Sequence, residues 1–497
     1  MIACSLLLGV PTVFVATDLG VGLSPDSVKY ITVARNLLSG HGFSVNDIDG
    51  GYKPATHYPP LYPATLAGFG GLSSSDPMVV ARRLNALFSV LNLFLVGFWV
   101  RRGLPESWAG PLIALFVFWA SAAHLTTHTM AWSEPMFLFF GMTGLYLLLN
   151  YAERSEIPRL IGAGLLLSLS ALTRYPGLFF MAAGGLFMLM QTKHSFKRRV
   201  IDATVYSAAC LAPFVLWMIR NKLVAETATS RVLAFHPVTQ TRLAEGFREI
   251  ANWVLPWKFA SVWLGAVLIV CAFILCRPSR KQPMHQLLFL TATVYLAGLL
   301  TSMTLFDAHT TLRSRILSPV YIALLIGATI TLTRAASRHR GFRLGLLAFL
   351  VLWIPFNGYR CLKWVLKTHE QGQGYSGKIW SASPLMALVR KLPEDHTIAS
   401  NAPDAITMLA RRRAGSVPIK FKPNSAMEVD GYEEILREWH QSMPAKKGLI
   451  VWFDRVDWRF YLPSKDEVAA SPLITARTNV SDGTIFAYRA GEDVEDQ

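Results

Sequence analysis

Residues able to do chemistry gather around a few points of an otherwise apolar chain. Asp26, Lys53 and His57 lie in a polar first loop. Glu134 stands between Ser133 and Pro135 at the start of an apolar run, and Arg174 and Tyr175 break into another. His236-Pro237 sits in a long loop, and Asp307, His309, Arg313 and Arg315 lie between two further runs. An ionisable side chain at membrane depth costs roughly 2.5–3.5 kcal/mol on insertion scales, so such residues tend to mark sites. Carboxylates there can take up a proton, and cationic side chains can hold an anion. Each residue also has a plainer reading. Asp26 and Glu134 are of the type that starts helices. Lys53 can be solvated or snorkel. His57 and His236 can be structural, and Arg313 and Arg315 can mark an interface. Arg174 is the hardest to dismiss, because an unpaired arginine in an apolar stretch is expensive.

The elements that must position these residues follow from composition. The chain has 497 residues, 52% hydrophobic and only 16% charged, which is the profile of a polytopic membrane protein. Its formal net charge of +16 does not point to nucleic acid. Acidic and basic residues balance from Cys361 to Gln497, so the excess lies in short loops of the apolar part, where it reports topology. The five cysteines, Cys4, Cys210, Cys271, Cys276 and Cys361, lie in or beside apolar runs and form no disulfide framework or zinc spacing. Gly-rich nucleotide loops, His-Glu-x-x-His and Gly-x-Ser-x-Gly are all missing.

Apolar runs at 2–17, 78–100, 107–124, 134–151, 159–173, 176–191, 200–219, 258–276, 286–305, 314–333 and 343–360 predict about 11 spans. The first is short and has no basic residue before it, so it reads as an anchoring helix whose start is cut at Met1 rather than a signal peptide. Basic residues fall in alternate loops: Arg101-Arg102, Arg154 and Arg159, Lys193 to Arg199, Arg277 to Lys281, and Arg334 to Arg343. The positive-inside rule then makes the N-terminus cytoplasmic. The loops at 18–77, 125–133, 220–257 and 306–313 face outward, as does the tail.

Two segments stand apart. In the first loop, Ser24 can cap a helix that has Pro25 at its first position and Asp26 at the positive end of its dipole. Val28, Ile31, Ala34, Leu37 and Leu38 form one face, and Gly40 closes it. Such a helix lies along a membrane surface. Pro59 to Pro63 opens a second one. The tail, 375–497, reads as a small α/β domain with helices near 383–391 and 431–440. Its strands are expected near 397–400, 448–453, 474–478 and 484–488, ahead of a disordered acidic tip, Glu492–Gln497. Arg411–Arg413 reads as a solvated face.

The assembled pieces resemble the GT-C superfamily of integral-membrane glycosyltransferases, in the bacterial branch related to protein O-mannosyltransferases and the lipid A aminoarabinose transferase. The resemblance covers residues 1–360. It rests on Asp26 with Tyr30, Ala34-Arg35 and Gly40-His41-Gly42, on His57-Tyr58-Pro59-Pro60-Leu61-Tyr62-Pro63, and on Ser133-Glu134-Pro135, Leu172-Thr173-Arg174-Tyr175 and Arg315-Ile316-Leu317-Ser318-Pro319. It implies about 11 transmembrane helices of GT-C type with a small C-terminal α/β domain. It also implies transfer of a hexose or pentose, with inversion, from a polyprenyl-phosphate-linked sugar to a lipid, glycan or protein of the cell envelope. The setting would be the outer face of a bacterial inner membrane, with the lipid bilayer and no nucleic acid as partner. A polyprenyl phosphate is a good leaving group, so charge stabilisation matters more than protonation. The resemblance makes Asp26 the base and places Lys53, Arg174 and Arg315 on the donor phosphate. Several relatives carry two adjacent acids in the first loop, whereas Ser27 follows Asp26 here. That makes Glu134 the second carboxylate and leaves a divalent metal an open question. Tyr30, His57, Tyr58, His236, Asp307 and Arg313 are further candidates. The rival readings are a polytopic transporter, which more often shows internal repeats, an O-antigen ligase or polymerase, which usually lacks the long polar first loop, and a scaffold or sensor.

Overall fold

The computed structural model describes residues 1–47, 51–190, 195–229, 233–278, 282–307, 310–423 and 426–488. Lys193, Arg280, Lys281, His309 and the acidic tip Glu492–Gln497, all singled out above, lie outside the described residues.

The apolar runs become helices. They are α1 (Ile2–Ala16), then, after the first loop, α4 (Pro77–Gly103), α5 (Ala109–Trp119), α6 (Ala122–Thr129), α7 (Glu134–Arg154), α8 (Ile157–Thr173), α9 (Gly177–Met190) and α10 (Phe196–Ala225). There follow α11 (Gln240–Asn252), α12 (Val262–Leu275), α13 (Pro283–Leu305), α14 (Ser314–Arg338) and α15 (Arg340–Gln371). Among the described residues six helices, α4, α7, α10, α13, α14 and α15, are long and apolar enough to cross a membrane. The bent pair α5–α6 would make a seventh, and α1, α8, α9 and α12 are shorter apolar helices.

The expected loop at 125–133 is mostly helix. Ser121 is the reason. Its hydroxyl donates to Phe118 O at 2.6 Å and accepts from His124 N at 3.2 Å, ending α5 and capping α6 with a bend of 58°. The polar side chains of α6 find partners inside the bundle, apart from the buried His124 Nδ1. Ser89 meets His124 at 2.9 Å, and Asn92 donates to His128 Nε2 at 3.0 Å. The long loop at 220–257 likewise holds α11. Helix α15 runs past its expected end at 360. At 32 residues it is about 48 Å long, more than a hydrocarbon core of about 30 Å needs, and its last turns pack on α1 and α6, with Val365 against Ala16 and Leu125 and His369 Nδ1 at 3.2 Å from Val15 O.

Within the first loop, α2 (Pro25–Leu38) and α3 (Leu61–Ser73) flank a hairpin of β1 (Ser44–Asn46) and β2 (Tyr52–Pro54). Helix α2 starts as expected: the Ser24 hydroxyl accepts from Ser27 N, and Gly40, at φ +79°, turns the chain after Ser39. Val28, Ile31 and Ala34 are buried as expected, but Leu38 is exposed.

After α15 come α16 (Lys378–Ser381), α17 (Pro384–Val389), β3 (Ile398–Ser400), α18 (Pro403–Leu409), β4 (Gly415–Ser416), α19 (Tyr432–Ser442), β5 (Leu449–Phe453), α20 (Lys465–Ala469), β6 (Ile474–Val480) and β7 (Gly483–Tyr488). The strands form one sheet in the order β4-β3-β5-β7-β6, with β3 parallel to β4 and β5, and β7 antiparallel to β5 and β6. All five residues of the central strand β5 are buried. This unit sits on the first loop. One apolar core runs from Val28, Ile31 and Leu66 through Leu385, Ile406 and Phe453. Leu23 O accepts from Tyr375 N at 2.9 Å. Gly374, at φ +54°, makes that approach possible, because a Cβ there would lie 1.8 Å from Leu23 O.

Candidate functional site

Helix ends build the site. Asp26 comes from the first turn of α2, Glu134 from the first position of α7, Arg174 from the cap following α8, and Arg315 from the first turn of α14. All four converge. Arg315 Nη2 donates to Asp26 Oδ2 at 2.7 Å while its Nε is bonded to Glu134 Oε1. Arg174 Nη1 reaches the same Glu134 oxygen at 2.6 Å. Tyr58 donates its hydroxyl to the other oxygen of Asp26 at 2.6 Å. Two carboxylates and two guanidinium groups thus form one chain with no net charge, in which Arg315 is the central link.

The surroundings hold Arg315 in place. Its guanidinium lies 4.0 Å above the centre of the Trp132 ring, and Trp132 Nε1 donates to Ser24 Oγ at 2.8 Å. Tyr30 approaches Ser133 Oγ at 3.3 Å, and its ring packs edge-on against Tyr58 and Tyr62. Glu134 is 1% exposed, whereas the Asp26 side chain keeps 29% of its surface. Asp26 is walled in yet open toward a cavity. Burial pushes its carboxyl up, but the Arg315 charge, the Tyr58 hydrogen bond and the more distant Arg174 outweigh it and hold it well below the usual carboxylate range. Burial, with the Asp26 charge adding to it, pushes the Tyr58 phenol well up, so it remains a donor.

The cavity, of about 450 Å³, is lined by Asp26, Tyr30, His57, Tyr58, Trp132, Arg174, Tyr175, Asp307, Arg313 and Arg315. Phe179, Leu299 and Ile316 give it an apolar side. Thus it gathers most of the residues expected from the sequence. Glu134 lies buried behind the wall, joined to it through Arg174 and Arg315 but not lining it, and two others are not brought to the site at all. Lys53 is on β2, with 67% of its side chain exposed and paired to Asp47 at 2.9 Å, because the hairpin turns it toward solvent. His236 lies on the chain between α10 and α11, where its backbone N–H donates to Thr304 O at 2.8 Å, and it does not line the cavity.

Among the described residues no three His, Cys, Asp or Glu side chains are grouped as a metal site. The two carboxylates that would share a divalent ion are instead bridged by Arg315. Both Asp26 oxygens are already engaged, and only Glu134 Oε2 is buried without a hydrogen-bond partner. The residues present therefore do not fit a metal, and no step is assigned to one.

The family model of dolichyl-phosphate-mannose-protein mannosyltransferases matches residues 48–224. No curated protein sequence matches the chain. Among solved structures, ArnT from Cupriavidus metallidurans superposes with a TM-score of 0.60 at 14% identity, over 98% of each chain. The chain has the GT-C glycosyltransferase fold. AglB from Archaeoglobus fulgidus shares that GT-C fold, with a TM-score of 0.58 at 12% identity over 99% of this chain and 74% of that one. So does the arabinofuranosyltransferase AftD from Mycobacteria, at 0.53 and 14% over 98% and 40%. ArnT has also been seen with undecaprenyl phosphate bound, and AglB with an inhibitory peptide and a dolichol-phosphate.

Asp26 and Arg315 lie outside the family match, and the fold rather than that match joins them to Glu134 and Arg174. Trp132 is a residue that the sequence does not single out; its one signal is that it precedes the Ser133-Glu134-Pro135 motif. Thr310 and Thr311, which also line the cavity, carried no signal at all.

Proposed function

We propose that the chain transfers a hexose or pentose from a polyprenyl-phosphate donor to a cell-envelope acceptor. The observation that carries this reading is the convergence of Asp26, Arg174 and Arg315 on a half-apolar cavity. ArnT and AglB, of the same fold, are known with polyprenyl phosphates bound. The donor phosphate takes the place of Asp26 on the Arg315 guanidinium and lies against Arg174, while Glu134 stays paired to both, and the prenyl chain lies along Phe179, Leu299 and Ile316.

That exchange activates the base. While Arg315 is clamped to Asp26, the carboxylate is a weak Brønsted base. When the phosphate draws Arg315 toward itself, Asp26 loses its main counter-charge and becomes more basic. The acceptor hydroxyl then gives its proton to Asp26, and its oxygen bonds to the anomeric carbon. The bond from that carbon to the phosphate oxygen breaks on the opposite face, and polyprenyl phosphate leaves with the electron pair. The sugar is inverted. Glu134 keeps Arg174 and Arg315 in position throughout.

Residues 1–360 form the membrane part of this enzyme, with about 11 spans if the bent pair and the four shorter helices each cross. Residues 375–497 form its outer domain. The membrane is the bacterial inner membrane, the N-terminus is cytoplasmic and the cavity opens outward. The test is direct. Purified protein is mixed with a labelled polyprenyl-phosphate sugar and an envelope extract, and both free polyprenyl phosphate and labelled acceptor are measured. Their stoichiometric appearance supports the proposal. Donor that stays intact in the presence of every envelope fraction contradicts it.

A further inference from the structure

A second cationic feature lies away from the cavity, where α18 leads into β4. Arg412 is committed to the fold: its guanidinium donates to Leu392 O at 2.5 Å and Pro393 O at 2.7 Å. Its neighbours are not so committed. Arg411 and Arg413 are both exposed, and among the described residues neither forms an ion pair. Arg411 also adopts φ +54°, a left-handed conformation that a long L side chain rarely takes. Backbone held in this region costs energy, and here no internal ion pair is gained in return. The Arg413 guanidinium lies 5.4 Å above the Tyr52 ring, which is itself stacked on His41 at 3.9 Å.

The position of this strip gives it meaning. Arg411–Arg413 share a cavity of about 390 Å³ with Arg35 and Asp76. Asp76 caps α4, accepting from Met78 N at 2.8 Å, and α4 is long and apolar enough to span a membrane. The arginines therefore stand at the level where that span begins. Asp76 is already held by both ends of the Arg35 guanidinium, at 2.9 and 3.1 Å. Within that cavity four arginines face one carboxylate that is already engaged. In adjoining cavities they meet Glu394 and Asp395, beside Lys446 and Lys447, and Asp47 and Asp404, which pair with Lys53 and Arg459. Burial pushes the Asp76 carboxyl up, but Arg35, the Met78 N–H and Arg411 draw it below its ordinary value, a sign of a positive local field. Beside the strip the surface turns apolar. Leu72 is 87% exposed and Phe69 51% on α3, and Leu38 packs at Gly70 and Gly71 of the same helix. Exposed apolar side chains next to surplus guanidinium groups match the boundary between acyl chains and headgroups.

We propose that Arg411 and Arg413, with Arg35 beside them, dock on the phosphates of anionic lipids in the leaflet at that end of the bundle. Guanidinium forks suit phosphate oxygens, and Arg412 holds the strip rigid for them. The docking fastens the C-terminal sheet to the membrane surface.

The test uses the full chain. Lipids retained by the purified protein are measured by native mass spectrometry after exchange into mixed phosphatidylglycerol and phosphatidylcholine. The wild type prefers phosphatidylglycerol, and the preference weakens as salt rises. Arg411→Gln with Arg413→Gln lowers it by roughly five-fold per arginine removed, while Arg411→Lys with Arg413→Lys keeps most of it. An unchanged preference in the glutamine pair overturns the proposal. So does displacement of phosphatidylglycerol from the wild type by millimolar inorganic phosphate, which would make the strip a site for small anions. If the glutamine pair does not fold, the salt dependence and the phosphate competition of the wild type decide the matter.

Discussion

Arg315 and Asp26, 289 positions apart in sequence, are joined by a 2.7 Å hydrogen bond, and the same guanidinium is bonded to buried Glu134. One cation therefore serves two carboxylates. It cannot keep both and also bind a phosphate with the same nitrogens, and this competition is the core of the proposed mechanism.

The first consequence concerns Arg315 itself. Arg315→Ala leaves Glu134 buried with only Arg174, and strips Asp26 of its partner. Removing one member of a buried ion pair costs roughly 3–5 kcal/mol. The variant should unfold at lower temperature in detergent and lose about 100-fold or more in donor turnover. Arg315→Lys should recover much of the stability and little of the activity, because an ammonium cannot bond Glu134 and Asp26 as a planar fork does. Calorimetry and turnover measured on the same preparations test this. Equal activity in Arg315→Lys and wild type would remove the fork from the mechanism.

A second consequence lies in the pH profile. The folded Asp26 carboxyl sits below its unfolded value. Its contribution to stability is thus fully present above about pH 4 and is lost as pH falls from there toward the folded value. Activity should show the same group in two states. The acid limb of kcat/KM reports the free enzyme, where Arg315 holds Asp26 down. The acid limb of kcat reports the donor complex, where the phosphate competes for Arg315. We expect the kcat limb at higher pH. Limbs that coincide would mean that donor binding leaves the Arg315–Asp26 pair intact.

Much of this was legible in the sequence, for physical reasons that also explain the failures. The apolar helices announce themselves because most of their lipid-facing and core positions are apolar. Arg174, Arg315 and Glu134 stood out because charge among apolar neighbours demands a partner. Their pairing was not legible, since it depends on how α7, α8 and α14 pack, and no local spacing encodes that. The place of Lys53 was not legible, because residue type and loop position say nothing of which way a hairpin turns. The break at Ser121 hid inside an apolar run, since a hydroxyl that caps a helix looks the same in sequence as one that merely decorates it. The short strand β4 has too few residues for a periodicity.

Lys53 supplies a third prediction. Its exposed pair with Asp47 is of a kind that contributes about 0–1 kcal/mol. Lys53→Ala should keep near-wild-type stability and donor turnover. A donor KM raised tenfold or more would bring Lys53 back to the phosphate.

The seam between the first loop and the C-terminal sheet gives a fourth. Gly374→Ala places a methyl group against Leu23 O in a left-handed conformation. That strain should cost on the order of 1–3 kcal/mol and should loosen the segment that leads into Asp26. Hydrogen exchange at Val21–Leu23 and at Tyr375 should rise together. Unchanged protection there would show that the seam tolerates the methyl group.

The most direct measurement is sugar transfer by Asp26→Asn. Asparagine keeps the shape of aspartate and can still accept from Tyr58, so the fold and donor binding should survive, and the donor should if anything bind more tightly because Arg315 is released. It cannot take the acceptor proton. The account predicts saturable donor binding with transfer reduced at least about 1,000-fold, in line with the loss of a general base and its electrostatic partner. Near-wild-type transfer by Asp26→Asn would contradict it.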